Sequence, residues 1–198
     1  MRIISAEYLT SARSREGLLN DNIPQIAIAG RSNVGKSSFI NFITDNSKLC
    51  RTSGAPGRTR MINYFLINRG AFYFTDLPGY GYAKASNKEI NEWARFISDY
   101  FNYTDKILNV FALMDLRLPP QESDIKLINM LNSMNIGFTV IGTKADKLSR
   151  AKINKSVAEI ATALKIGTGN IIVTSSAKKT GREEALNRIE RLLEINQF

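Results

Sequence analysis

The run Gly30-Arg31-Ser32-Asn33-Val34-Gly35-Lys36-Ser37 decides the fold. It is a Gly-x-x-x-x-Gly-Lys-Ser phosphate loop. Gly30 and Gly35 permit a tight backbone path with no Cβ in the way. Successive backbone N–H groups then converge on phosphate oxygens. Lys36 carries positive charge to the terminal phosphates, and the Ser37 hydroxyl is suited to ligate Mg²⁺. A helix running on through Ser38 aims the positive end of its dipole at the same anion. The pattern arises by chance in on the order of one in a hundred chains of this size, so its surroundings must agree with it. They do: the apolar residues 23–29 precede it and the helical pattern of residues 37–43 follows.

Outward from this loop, short apolar runs recur at residues 26–29, 61–67, 71–75, 107–114, 138–142 and 171–174. Such nearly continuous runs suit a sheet covered on both faces. Helical stripes lie between most of them. Ser86 and Glu89 fit a capping box ahead of Ile90, Trp93, Ile97 and Phe101. Pro119-Pro120 opens a helix with Ile125, Ile128, Leu131 and Met134 inward, and Ile153, Val157, Ile160 and Leu164 mark another. Thr180 and Glu183 are expected to cap a last one, with Leu186, Ile189 and Leu193 buried. These stripes, Trp93 included, read as core rather than as cofactor contacts. Only Asn68-Arg69-Gly70 joins the second and third apolar runs, which makes them a hairpin. The expected architecture is a three-layer α/β fold, with a six-stranded, mostly parallel sheet, one antiparallel strand and helices on both faces. Residues 1–22 lack a clear period and are expected to pack as an extension on the sheet edge, leaving residues 23–198 as the nucleotide-binding domain. No repeat, low-complexity segment or linker interrupts the chain.

The chain has 198 residues, 43% of them hydrophobic and 23% charged, with no apolar stretch of signal-peptide or membrane-span length. Cys50 is the sole cysteine, so no intrachain disulfide forms, which suits a cytoplasmic protein; it reads as a loop or core residue. There is no histidine, which excludes mechanisms that need an imidazole. Phosphoryl transfer by positioning and Mg²⁺ survives that exclusion. The formal charge of +9 fits an anionic polymer as partner, RNA ahead of DNA or a membrane surface.

Further motifs stand at strand ends. Asp76-Leu77-Pro78-Gly79 supplies an acid suited to hold Mg²⁺ through a water, and a Gly79 N–H free to approach a γ-phosphate. Thr143-Lys144-Ala145-Asp146 places a carboxylate that accepts two bonds from the N1–H and N2–H₂ edge of guanine. Adenine lacks that donor pair, and unmet polar groups discriminate by ~10⁴-fold or more. The Lys144 stem lies along the base. Ser175-Ser176-Ala177 lets the backbone approach the base, with the Ala177 N–H aimed at guanine O6. Residues 51–60 are polar and turn-rich, as in a mobile loop. Within Gly57-Arg58-Thr59-Arg60-Met61, Thr59 is the better candidate for a hydroxyl completing the Mg²⁺ shell, and Thr52 is the competitor.

These motifs in this order resemble the EngB (also YihA) family of bacterial GTP-binding proteins, over almost the full chain. Many other GTPases carry Asn where Thr143 stands; this family resembles the Thr form. The resemblance implies the P-loop GTPase fold, Mg²⁺-dependent GTP and GDP binding, a role in assembly of the large ribosomal subunit, and an association with normal cell division and septation. The implied reaction is GTP plus water giving GDP and phosphate, with Lys36 stabilising developing charge, Ser37 and Thr59 as direct Mg²⁺ ligands and Asp76 acting through water. In many small GTPases a Gln after Asp-x-x-Gly orients the attacking water. Tyr80 stands there, so hydrolysis by the protein alone is expected to be slow. Related GTPases with Asn at the place of Asn33 use it to ligate K⁺ where an arginine finger would sit.

The layout implies a switch in which the γ-phosphate and Mg²⁺ order the loop around Thr59 and residues 80–88. Lys48, Arg51, Arg58, Arg60, Lys84 and Lys88 crowd these loops and are expected to meet ribosomal RNA. No dimer surface is legible, so a monomer is the default. The alternatives are an ATP-using P-loop enzyme, which has no use for residues 143–146, and a nucleotide-gated RNA-binding scaffold whose hydrolysis is incidental.

Overall fold

The computed structural model describes residues 1–50, 61–81 and 87–195. One sheet organises them. In chain order its strands are β1 (Ala6–Ala12), β2 (Gln25–Gly30), β3 (Ile62–Ile67), β4 (Phe72–Asp76), β5 (Ile107–Asp115), β6 (Phe138–Thr143) and β7 (Ile171–Val173). The helices are α1 (Lys36–Thr44), α2 (Asn87–Tyr103), α3 (Glu122–Ser133), α4 (Arg150–Leu164) and α5 (Arg182–Ile195). Across the sheet the order is β1-β3-β4-β2-β5-β6-β7. β3 alone runs against the rest, pairing antiparallel with both β1 and β4. The hairpin turn at Asn68, Arg69 and Gly70 is made by three successive positive-φ residues.

Alternate residues of the central strands feed two cores. Ala27 and Ala29 of β2, with Val110, Ala112 and Met114 of β5, face α2, α3 and α4 through Ile97, Tyr100, Ile128, Leu131 and Ile160. Ile26, Ile28, Phe111 and Leu113 face α1 and α5 through Phe39, Ile40, Ile43, Leu186 and Ile189. Every residue of β2 is buried, which is why the strand reads as an unbroken apolar run. Phe39, Phe111, Tyr64 and Tyr100 are each below 2% exposed. Burial of this kind contributes roughly 1.5–3 kcal/mol per large side chain.

Among the described residues the sheet has seven strands, not six. Residues 6–12 close the outer edge of β3, with a register shift between Tyr8 and Thr10. Their alternation is broken by that bulge, and only Ala12 among them is fully buried, so no period of two survives to be read. Other boundaries also moved. Gln121 caps α3 in a reciprocal box with Asp124, two residues beyond the start expected at Pro119-Pro120. Thr180 is not the cap of α5: it exchanges backbone bonds with Ser175 at 3.1 Å in both directions, and α5 begins only at Arg182. Ile90, expected to face inward, is 49% exposed. The proposed cap Ser86 lies outside the described residues.

Candidate functional site

The parallel strands β2, β5, β6 and β7 end on one side of the sheet, and the residues that carry chemistry follow those ends. β2 runs into the loop at Gly30, and Gly35 precedes α1 at φ 109°, a conformation that disfavours any side chain. No side chain caps α1 and its first turn holds no acid, so its amides remain available to an anion. Lys36 folds back over the loop to donate to the Gly30 carbonyl at 3.4 Å.

Asp76, the last residue of β4, is 7% exposed, and its buried Oδ1 has no hydrogen-bond partner among the described residues. Burial pushes its carboxyl above the usual carboxylate range, while Lys36 and an Asn63 hydrogen bond pull it back. Burial likewise lowers Lys36, opposed by Asp76. The two charges are both short of solvation. An unsatisfied buried carboxylate oxygen, a hydroxyl at Ser37 and open helix amides are a donor set that fits a hydrated Mg²⁺ and phosphate. Among the described residues no cluster of three or more acid or thiol side chains offers a protein-only metal cage, so Mg²⁺ would depend on hydroxyls and phosphates for its remaining ligands.

The residues after Asp76 are sewn to the loop. Leu77 donates to the Ile28 carbonyl at 3.0 Å, and Ser32 donates to the Tyr80 carbonyl at 3.0 Å. A Cβ on Gly79 would lie 2.9 Å from Lys36 Nζ and 3.1 Å from Ser32 Oγ. Only a glycine brings its backbone this close to the lysine. Tyr80 turns away from the loop: its hydroxyl donates to Asp124 Oδ1 at 2.9 Å, and its ring meets Trp93 edge-on at 5.6 Å between centroids. Trp93 Nε1 donates to the Pro78 carbonyl at 2.9 Å.

Thr143 closes the site from the other flank. Its hydroxyl bonds the Val34 carbonyl at 2.9 Å and the Met114 carbonyl at 3.2 Å. Lys144, left-handed at φ 60°, donates to the Asn33 carbonyl at 2.7 Å. Ala145 is buried, and its N–H bonds the Thr174 carbonyl at 3.2 Å. Asp146 accepts from Ser175 Oγ at 2.7 Å, and Lys147 stands 3.4 Å from its other oxygen. The Ser175 hydroxyl first, then Lys147 and the local backbone, hold the Asp146 carboxyl below its ordinary value. Ser175 Oγ also accepts the Lys178 N–H at 3.0 Å, shaping the turn that exposes Ala177 beside the half-buried Ser176.

The structure thus brings Gly30 to Ser38, Asp76 to Gly79, Thr143 to Asp146 and Ser175 to Ala177 onto one rim. Thr52, Gly57, Arg58, Thr59 and Arg60 lie outside the described residues, as do Arg51 and Lys84; Met61 is described and stands just before β3. Sequence reasoning missed Asp115, Arg117 and Asp124. The available signal was that Asp115 follows an apolar strand, as Asp76 does. A cavity of about 180 Å³ opens beside the loop, lined by Arg31, Asn33, Asp115, Arg117 and Lys144 among others.

A family described as 50S ribosome-binding GTPase matches residues 25–144. A probable GTP-binding protein EngB of Caldanaerobacter subterraneus is 41% identical over 194 residues, covering 98% of this chain and all of that one. Its counterpart in Pelotomaculum thermopropionicum is 43% identical, covering 96% of each. Among solved structures, a probable GTP-binding protein engB superposes with a TM-score of 0.67 at 20% identity, over 87% of this chain and 99% of that one. Era in complex with MgGDPNP and a 16S ribosomal RNA segment superposes with a TM-score of 0.66 at 23% identity, over 85% of this chain and 56% of that one. At those identities the superpositions establish a common fold.

Proposed function

Because this chain belongs to the EngB family of GTP-binding proteins, we propose that it is a slow GTPase acting as a nucleotide switch in large ribosomal subunit assembly. The observation that carries this reading is the bonding of the Thr143 and Lys144 side chains to the Val34 and Asn33 carbonyls. Base reading and phosphate binding become one rigid unit. In it, Asp146 accepts the guanine N1–H and N2–H₂ pair, and the Lys144 stem flanks the ring. The amides of residues 33–38 and the Lys36 ammonium hold the β- and γ-phosphates, Ser37 offers its hydroxyl to Mg²⁺, and Asp76 acts through a water. Mg²⁺, when bound, neutralises charge that develops on the β–γ bridge. Thr59 is the proposed second hydroxyl ligand.

Hydrolysis is slow in this reading because Tyr80, not a glutamine, follows Gly79, and its hydroxyl is bonded to Asp124. Asn33, with its side chain exposed, is the proposed K⁺ ligand that raises the rate. Ordering of residues 51–60 and 80–88 by GTP presents basic side chains to ribosomal RNA. The family resemblance extends the role to normal cell division and septation; the single cysteine suits a cytoplasmic protein, and a monomer is the default. Among the described residues no helix is long and apolar enough to cross a membrane. Residues 1–22 are proposed as an extension of the single GTP-binding domain rather than a unit of their own.

Asp146→Asn tests base reading directly. The variant should lose GDP and gain xanthosine diphosphate, since the swapped donor and acceptor then match the xanthine edge. Undiminished GDP binding by the variant would remove guanine recognition from Asp146. The buried Tyr80 hydroxyl favours one second reading, an RNA-binding scaffold that uses GTP only as a gate. Sedimentation with ribosomal subunits in GDP and in a non-hydrolysable GTP analogue addresses both. Equal co-sedimentation in the two states would rule out a nucleotide-controlled docking event.

A further inference from the structure

A second carboxylate stands against the base-reading loop and belongs to none of its motifs. β5 ends at Asp115, in register with Thr143 at the end of β6. The Asp115 side chain is 10% exposed, and its Oδ2 lies 2.9 Å from Lys144 Nζ. Arg117 grips both oxygens, through Nε to Oδ1 at 2.9 Å and Nη2 to Oδ2 at 2.8 Å, and adds its own backbone N–H to Oδ1 at 3.1 Å. Burial pushes the Asp115 carboxyl up, but the bonds from Arg117 and Lys144 outweigh it and hold the group at about 2. A continuous chain results, from Arg117 through Asp115 and Lys144 to the Asn33 carbonyl at 2.7 Å.

A lysine on a flexible four-carbon stem ordinarily samples many rotamers, and ordering it on ligand binding weakens that binding. Here the ammonium has two partners within the chain itself. One is a neutral carbonyl. The other is an ionised, chelated carboxylate, which forms the stronger, charge-assisted bond.

We infer that Asp115 is a positioning residue for guanine-nucleotide binding: clamped by Arg117, it holds Lys144 on the Asn33 carbonyl. The stem of Lys144 is thereby presented to the base, and the phosphate loop is fixed at its most exposed residue. This rests on the reading of Lys144 as the residue along the base. In this reading Asp115 acts on the nucleotide through Lys144 and not by a contact of its own.

That last point gives the test. Dissociation of the fluorescent nucleotide mant-GDP is followed for the full chain, for Asp115→Ala, for Lys144→Ala and for the double variant. Each single change should speed dissociation about tenfold, the usual scale for losing one charge-assisted contact. The double variant should dissociate no faster than Lys144→Ala, because the two residues share one effect. A double variant showing the product of the two single effects would overturn the inference, as would Asp115→Ala dissociating like the unaltered chain. A carboxylate that merely stabilised the end of β5 would give that product. Asp115→Asn, close in shape, enters the same cycle if Asp115→Ala does not fold; it should fall between the unaltered chain and Lys144→Ala. Failure of the unaltered chain to hold mant-GDP would instead sink the GTP-binding reading of the site, which keeps the two failures distinct.

Discussion

The Tyr80 hydroxyl donates to Asp124 at 2.9 Å, so the side chain that follows Gly79 is bonded to α3 rather than aimed at the phosphate loop. Asp124 uses its other oxygen to accept the Gln121 N–H at 2.9 Å, capping the helix. Burial first, then Asp124, pushes the Tyr80 phenol well above its ordinary value, so it remains a donor throughout the working pH range. Tyr80→Phe should therefore lower stability by about 1–3 kcal/mol, the cost of leaving a buried acceptor unmet. The rate of GTP hydrolysis by the isolated protein should stay within about twofold, because the lost oxygen never served the water. Chemical denaturation and phosphate release measure the two effects. A large fall in hydrolysis with unchanged stability would assign Tyr80 to the chemistry.

Gly79→Ala puts a methyl group 2.9 Å from the Lys36 ammonium. The Lys36 and Ser32 side chains can shift, but Ser32 Cα at 3.2 Å is backbone and must give by a few tenths of an ångström, so a modest loss of stability should accompany the change. The shifted lysine and the blocked amide both weaken the grip on a γ-phosphate. Affinity for a non-hydrolysable GTP analogue should fall about tenfold to a hundredfold, the scale of one or two charge-assisted bonds. GDP affinity should be nearly preserved. Parallel losses for both nucleotides would show that Gly79 does not sense the third phosphate.

Ser175 lowers the Asp146 carboxyl more than any other group does. A carboxyl held low in the folded protein contributes stability above its unfolded value, and that contribution is lost as pH falls through the lower folded value. Guanine recognition needs the ionised form. Asp146 stays ionised at neutral pH with or without the Ser175 hydroxyl, so Ser175→Ala should weaken GDP binding there only through the lost bond that orients the carboxylate, about tenfold, and should move the acid limb of binding upward, toward the ordinary carboxylate value near 3.9. Titrations of GDP affinity from pH 7 downward read both. An unmoved acid limb would separate Ser175 from the ionisation of Asp146.

Asn33 carries the potassium reading. GTP turnover should be faster in K⁺ than in Na⁺ at equal ionic strength, and Asn33→Ala should remove the difference. Its backbone carbonyl, which binds Lys144, is untouched by the substitution, so GDP affinity should hold. Equal rates in the two salts would end the proposal.

Cys50 is 7% exposed, and burial above all pushes its thiol up, with Asp76 adding to the effect. Its backbone is pinned by Asn41, whose side chain accepts the Cys50 N–H at 2.8 Å and donates to the Cys50 carbonyl at 3.0 Å. The thiolate is the reactive form, so labelling by a thiol reagent at pH 8 should be slower in the folded protein than in denaturant by at least about a hundredfold. Rapid labelling would mean that the segment leading into residue 51 opens readily.

What the sequence made legible was chemistry that demands particular residues at particular spacings. Gly35 must be a glycine at φ 109°, and Lys36 and Ser37 have fixed tasks, so residues 30–37 were readable at sight. The strands β2, β5 and β6 were readable because burial on both faces leaves apolar runs with no gaps. β1 was not, since an edge strand with one half-covered face and a bulge carries no period. Asp115 and Asp124 were hidden for another reason. An acid after a strand, or in the first turn of a helix, is common, and only the folded chain shows which lysine or tyrosine it meets. Thr143 was read as a base-loop residue, and what the sequence did not show is that its hydroxyl also joins β5 to the phosphate loop.

The place of β1 bears on how the chain is made. Strands β2, β5, β6 and β7 lie side by side in the order in which a ribosome would release them, so each can dock on its predecessor as it emerges. β1 cannot. Its partner begins at Ile62, and at 5–20 residues per second the interval between the two is roughly 3–10 s. Throughout that interval Tyr8, Leu9 and the unpaired amides of residues 6–12 wait on a nascent chain with nothing to pair with. β1 is thus stranded until the hairpin arrives, and slowing translation ahead of Ile62 should lengthen the period in which the growing chain is open to chaperones or to pairing with a second copy.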